Sequence, residues 1–454
     1  MNFARPLLAA ASAVIALPAA AATLVPDAVT RSTLAVRLSD PVSVATPAPS
    51  NNLASPVAIN DRLYVVNQRG ATVTLLDGTP ILTPDTLPAG VVPEARLGIM
   101  NIAGRGDRAY VAFSSTVLPD GFASAAPLPD GPAYDERPTQ YDLIYRYDLA
   151  ADGSLSAPVP VTAFESQRSG HRGEGMLVLP DGGLLFARGD QLLPAYNGLE
   201  APQDPASTVG KLLAIDGDTG AVEVVASGLR NVQRLTFLDS SQDSIVFSDV
   251  GWRVAEEINR IAVADLVDTD RIENFGWGVA ADGLAREGSF YVNDGPEPVA
   301  EAIGAAPIGE PGFEQPFAQF GRDGAPGFFA VSGPVASAFS FDRIGLLFGD
   351  LANGGLYATL SGADGILNEV FSVSVLADDG SLTDLPGLLG TGRDDMRFFN
   401  FPDLGAGILF ERSGQLFRIA EVALPTVPLA GGLPLLAGGI GALALLRRRQ
   451  RTGA

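Results

Sequence analysis

The chain has 454 residues, with 52 acidic against 30 basic side chains and a formal charge of −22. Such a surface repels nucleic-acid phosphates, which are held through clustered Lys and Arg, and Lys211 is the single lysine. The absence of cysteine excludes disulfides, thiolate catalysis and cysteine–zinc sites.

In chain order, the first element is MNFARPLLAAASAVIALPAAAA. Arg5 supplies a positive start, Leu7 to Leu17 a short apolar core, and Ala19 to Ala22 a small-residue cleavage site, so residues 1–22 read as a secretory signal peptide. The apolar core is shorter than the roughly 20 residues a membrane span requires. Residues 23–50 read as a leader.

Residues 51–421 show little helical periodicity and are punctuated by Gly and Pro throughout. Apolar runs recur in pairs: DRLYVVNQRGATVTLLDG from Asp61, DRAYVAFSS with YDLIYRYDLAADG, and GGLLFARGD with GKLLAIDGDTG. DSIVFSDVG with EEINRIAVAD, GLLFGDLANGGLYATL and GAGILFERSGQLFRIAE follow. A sandwich needs fewer strands, and a parallel α/β fold needs intervening helices. Six such pairs predict an all-β fold, a six-bladed β-propeller. The Gly-, Pro- and Ala-rich stretch 280–334 is expected as an insertion between blades four and five, because long loops of this kind are functional or poorly ordered. Asp216-Gly217-Asp218-Thr219-Gly220 reads as a hairpin turn, since it lacks the length and glutamate of a calcium loop. Glu256-Glu257 suits either a structural calcium or a solvent-facing pair. No glycine-rich phosphate loop opens a helix, which argues against nucleotide cofactors.

Residues 422–454 form a tail. Val427 to Leu446 is uncharged and long enough for a spanning helix, and Arg447 to Arg451 holds four arginines that would stay cytoplasmic. Val427, Pro428, Leu429 and Ala430 resemble the VPLPA variant of the PEP-CTERM sorting signals, without the second proline. That resemblance implies export to the periplasm or outer cell surface and cleavage of the tail by a sorting protease. A permanent membrane anchor explains the span and the arginines equally well.

His171, the only histidine, lies in SGHRGEG between Gly170 and Gly173. An imidazole with an ordinary pKa near ~6.5 is a usable base at neutral pH, although a lone histidine in a turn also suits a purely structural place. Its surroundings decide between these. His171, Gly173 and Gly175, Pro180-Asp181-Gly182, Gly189-Asp190, Ser207, Gly210-Lys211, Gly228-Leu229-Arg230-Asn231, the SDVGWRVAEEIN segment and Asn274-Phe275-Gly276-Trp277-Gly278 occur in that order. In order and spacing they resemble the soluble glucose/sorbosone dehydrogenases, six-bladed quinoproteins that oxidise sugars with pyrroloquinoline quinone (PQQ).

The resemblance spans about Leu53 to Ile419. It implies that His171 is the general base, that Arg230, Asn231 and Arg397 bind PQQ, and that the backbone carbonyls of Gly251 and Trp252 hold calcium. The chain also departs from the family. Ala352 stands where a PQQ-binding lysine is expected, Asp395 where the first of two clamping arginines is expected, and Val250 where a histidine precedes the calcium loop. Arg393 lies nearby. The reading is thus an exported quinoprotein-type sugar or aldose dehydrogenase, acting on a small sugar or polyol and passing electrons to a quinone or periplasmic acceptor. The incomplete clamp favours a second reading, a non-catalytic propeller that binds carbohydrate or protein. A calcium-dependent lactonase or esterase is a third.

Overall fold

The computed structural model describes residues 34–44, 52–128, 139–166, 170–191, 201–251, 255–266, 271–279, 285–287, 290–293, 312–321, 331–336, 341–351, 354–390, 395–403 and 405–422. The expected signal peptide and the sorting tail with its span lie outside them, as do Trp252, Ala352 and Arg393. Among the described residues no helix is long and apolar enough to cross a membrane.

Strands that are apolar on both faces cannot stand alone, and here they stack as six blades. Blade one comprises Val57–Ile59, Arg62–Asn67, Thr72–Leu75 and Pro80–Leu82. Blade two comprises Ile99–Arg105, Arg108–Ser115, Gln140–Leu149 and Leu155–Ser166. Met176–Val178, Leu184–Arg188, Lys211–Ile215 and Val222–Ser227 make blade three. Blade four holds Val232–Phe237, Ser244–Asp249, Ala255–Ala262 and Ala318–Gly321. Blade five holds Val331–Ala336, Ile344–Asp350, Leu356–Leu360 and Phe371–Ser372. In blade six, Met396–Asn400, Ala406–Phe410 and Gln415–Val422 are joined by Ala35–Ser43.

Each blade is an antiparallel meander whose first strand lines the axis, and the first strands neighbour one another around a closed ring. The predicted six-bladed propeller is the fold. Closure is made by Ala35–Ser43, which pairs antiparallel with Gln415–Val422. A strand from the expected leader thus ties the chain's start to its last blade, so the propeller begins earlier than residue 51. Leu34, Ala35 and Val36 are buried, while most of that strand is exposed, and for this reason it carries no apolar run to announce it.

The insertion also differs from expectation. It interrupts blade four, between Ala255–Ala262 and Ala318–Gly321, and includes a small sheet of Gly278–Val279, Ala285–Glu287 and Phe290–Asn293. Ala318–Gly321 is a short outer strand, and blade five's first strand, VSGPVA, contains Gly-Pro, so both read as loop in the sequence. Apolar clusters fill the spaces between blades. Met100, Ile144, Phe164 and Phe186 join blades two and three, for example, and Leu63, Val65, Phe399 and Leu409 join blades one and six. The Asp216 turn is a hairpin whose Asp216 carboxylate accepts from the backbone N–H groups of Asp218 and Thr219.

Candidate active site

The first strands of a propeller run in parallel around the axis, so the residues just ahead of them meet at one mouth of the channel. His171 precedes blade three's first strand, Arg230 and Asn231 precede blade four's, and Asp395 precedes blade six's. The turn at His171 is fixed by backbone geometry. His171 itself has a left-handed φ of 50°, and Gly173 has a φ of 75°. A Cβ on Gly173 would lie 2.1 Å from the Ala187 carbonyl oxygen, so only glycine lets this turn lie against blade three.

Next to the histidine, Arg172 is fully buried. It donates from Nε to Asp142 Oδ1 at 2.8 Å and from Nη1 to Gln140 Oε1 at 2.8 Å. Arg188 lies 3.5 Å from the other Asp142 oxygen, so one buried carboxylate of blade two anchors two guanidiniums of blade three. His171 is thereby presented from a rigid base.

The Nδ1 atom of His171 lies 2.8 Å from Asp190 Oδ1, and Asp190 Oδ2 accepts from Trp277 Nε1 at 3.1 Å. A carboxylate in this role only accepts, which puts the proton on Nδ1 and leaves Nε2 with its lone pair. Burial pushes the His171 pKa below its ordinary value. Asp190 pulls it upward by charge and hydrogen bonding, and Arg230 pushes it down; the net direction is downward. The imidazole is therefore neutral at pH 7.

Arg230 sits beside this pair. Its guanidinium lies 5.2 Å from the centre of the Trp277 ring, and Nη1 donates to the carbonyls of Val250 at 2.9 Å and Gly251 at 2.8 Å. The Arg230 and Asn231 backbone N–H groups both donate to Asp249, at 2.8 and 2.6 Å. Burial raises the Asp249 carboxyl to about 6 against the pull of those two N–H groups. Asp190 N in turn donates to the Arg230 carbonyl at 2.8 Å, which locks the two loops together. The structure thus brings His171, Arg230 and Asn231 to one corner, with Asp190, Asp249 and Trp277 as supports that the sequence reading left without roles. A common signal marks the acids. In blades three to six a carboxylate ends or follows the second strand: Asp190, Asp249, Asp350 and Glu411.

Arg397 is placed differently. It donates from Nε to the Leu53 carbonyl at 3.1 Å, from Nη1 to Gln233 Oε1 at 2.7 Å and from Nη2 to Glu411 Oε2 at 3.1 Å. Burial raises the carboxyls of both Glu411 and Glu174, and Arg397 is the leading influence pulling each back down. The expected clamp residue is thus held among carboxylates of its own protein. Asp395, at the position where the resemblance expects an arginine, accepts from Arg412 Nε at 2.9 Å.

Of the two expected calcium ligands, Trp252 lies outside the described residues and the other is Gly251. Its carbonyl faces the Arg230 guanidinium, and a divalent cation there would sit against a fixed positive charge. Glu256 and Glu257 do not face solvent; Glu257 is 5 % exposed and Glu256 is placed by its bonds. Glu256 is fully buried, and Oε2 accepts from Gly251 N at 3.2 Å and Val331 N at 2.9 Å. Among the described residues no group of three or more His, Asp or Glu side chains could hold a metal ion. Lys211 is also buried, which lowers its amine to about 7, and Nζ donates to the Ala201 carbonyl at 3.0 Å.

No protein-family profile matches the chain, and no curated protein matches it. Solved structures do. The PQQ-bound aldose sugar dehydrogenase of Streptomyces coelicolor is similar over 86% of this chain and 98% of its own, at 18% identity and a TM-score of 0.49. An oxidoreductase of Thermus thermophilus, described as a glucose dehydrogenase, is similar over 86% of this chain and 100% of its own, at 16% identity and a TM-score of 0.49. An auxiliary nutrient binding protein of Bacteroides ovatus is similar over 86% and 77%, at 9% identity and a TM-score of 0.36. These likenesses concern the arrangement of strands; the blade count stands on the chain's own pairing.

Proposed function

We propose that the protein is a sugar or polyol dehydrogenase of the quinoprotein type in which His171 is the base. The observation that carries this reading is the His171–Asp190 pair: one imidazole, its Nδ1 held at 2.8 Å by a carboxylate that Trp277 also fixes. A base held neutral at pH 7 and oriented by a second group meets the geometric and pKa conditions for general-base catalysis. Nε2 takes the proton from a substrate hydroxyl, and Asp190 stabilises the imidazolium that results. The family motifs from His171 to Trp277 support the same reading.

The corner fits one polar edge of a planar anionic quinone. Arg230 supplies a fixed positive charge, and its Nε and Nη2 have no hydrogen-bond partner among the described residues. Trp277 backs the Arg230 guanidinium with its ring, and Asn231 follows Arg230 in the chain. PQQ, when bound, would supply the two-electron acceptor. The blade-six side does not fit a carboxylate of that cofactor, because Arg397 is already bonded to Glu411 and Gln233. Arg230 and Asn231 therefore carry the binding. The same reading places the propeller outside the cytoplasm, supported by the signal-like start and the arginine-flanked span of the sequence.

Purified protein reconstituted with PQQ, with and without calcium, and assayed for dye reduction on a panel of aldoses and polyols tests this. Substrate-dependent reduction that vanishes without PQQ is expected. The Arg397–Glu411 pair favours a second reading, a carbohydrate-binding propeller without redox chemistry, and sugar binding with no dye reduction under any condition would establish it in place of the first.

A further inference from the structure

The channel has a second mouth, at the far ends of the first strands from His171. There a cavity of about 350 Å³ is lined by blades one, two, three, four and six. Its lining is mixed, with Leu177, Leu235, Phe237, Phe401 and Pro402 as apolar wall beside polar residues such as Gln233, Thr236 and Asn400. Among the described residues, Asp239 is the single acidic side chain of the lining, against Arg105 and Arg234. In a chain with 52 acidic and 30 basic residues, a concave surface with that balance is unusual.

Arg234 is the central group. It reaches across the channel from blade four, donating from Nε to the Pro334 carbonyl at 3.2 Å and from Nη2 to Asn400 Oδ1 at 3.0 Å. Both acceptors are neutral. Partial enclosure by the channel walls lowers its guanidinium to about 10, and among the described residues no carboxylate offsets this. Asp239 is turned to its own loop, where Oδ1 accepts from the backbone N–H and hydroxyl of Ser241. Arg105 donates to Gln242 Oε1 at 3.1 Å, again a neutral partner. A half-buried guanidinium bonded, among the described residues, only to neutral acceptors keeps its charge for a ligand, and an anion of matching planar geometry can pair with it.

We propose that this cavity binds a small organic carboxylate with an apolar body, its carboxylate on Arg234 and its body along Leu177, Leu235 and Phe237. The site is separate from the His171 corner and does not depend on the redox reading. Inorganic anions lack the body that the apolar walls would cover, and neutral amides lack the charge.

Calorimetric titration of the full protein with benzoate, benzamide and sulfate tests the proposal. Asn400→Asp places a carboxylate on Arg234 at the position of the present amide oxygen, neutralising the site with no change of shape, and Arg234→Gln removes the cation. Benzoate is expected to bind wild-type protein at least about tenfold more tightly than benzamide or sulfate, and each variant should lose that preference. The Asn400→Asp result stands even if Arg234→Gln fails to fold. Benzoate binding that survives Asn400→Asp, equal binding of benzamide, or no benzoate binding to the wild type would overturn the proposal.

Discussion

Two arginines stand at the same mouth of the channel and are used in opposite ways. Arg230 has one nitrogen bonded to the Val250 and Gly251 carbonyls and stays next to His171 and Trp277, with no acid bonded to its guanidinium among the described residues. Arg397 is bonded through Nε and both Nη atoms, one bond going to Glu411, with Glu174 close enough to feel its charge. A guanidinium can recruit a ligand carboxylate only if its own protein has left it unneutralised. The corner between blades three and four therefore keeps a cation available to a ligand, whereas the blade-six side is closed on itself.

The largest expected effect lies at His171, the proposed base. His171→Asn keeps a residue tolerant of left-handed backbone and removes the imidazole, so turnover should fall about 10²–10⁴-fold with the melting temperature little changed. Steady-state dye reduction beside thermal unfolding would check both halves.

The rigid support beneath the base comes next. Asp142→Ala leaves Arg172 and Arg188 buried without their shared carboxylate, and breaking such a buried pair costs about 3–5 kcal/mol. Urea unfolding should show that loss, and a loss under about 1 kcal/mol would mean that the anchor is not structural.

Asp190→Asn separates orientation from presence. The imidazole remains but loses the partner that holds its tautomer and raises its pKa, so turnover should drop about tenfold or more and the acid limb of the pH–rate profile should move to lower pH. An unmoved acid limb would place Asp190 outside the proton chemistry.

Glu411→Gln would sharpen the contrast by opening the closed side. With the ion pair gone, Arg397 becomes available, and PQQ should bind about tenfold more tightly in a fluorescence titration. The same variant has a signature in stability. Burial raises the Glu411 carboxyl, so the folded state holds its proton more tightly than the unfolded chain does. Glu411's contribution is thus full below its ordinary pKa of 4.5 and is lost as pH rises through the raised value. Relative to wild type, Glu411→Gln should gain stability as pH rises over that window.

The second and third strands of every blade were legible in the sequence because neighbouring blades cover both of their faces; Leu184–Arg188 and Ala406–Phe410 are buried at every position. The first strands were not. Met176–Val178 has only three residues, and Val232–Phe237 carries the polar pair Gln233 and Arg234 toward the channel. Ala35–Ser43 was hidden for the opposite reason, since most of its residues face solvent. At the site, the motif residues His171, Arg230 and Asn231 do converge. What spacing could not reveal was whom each arginine faces. Arg397 lies opposite Leu409 in the blade-six ladder, and only that register brings Glu411 beside its guanidinium.

Because His171 is the only histidine, nitrogen-15 chemical shifts of labelled protein report one imidazole with no assignment problem. Following them from pH 4 to 8 tests the proposed base most directly. The structure predicts a neutral ring protonated on Nδ1, with a pKa below the ordinary 6.5. A ring protonated on Nε2, or a pKa at or above 6.5, would contradict the account.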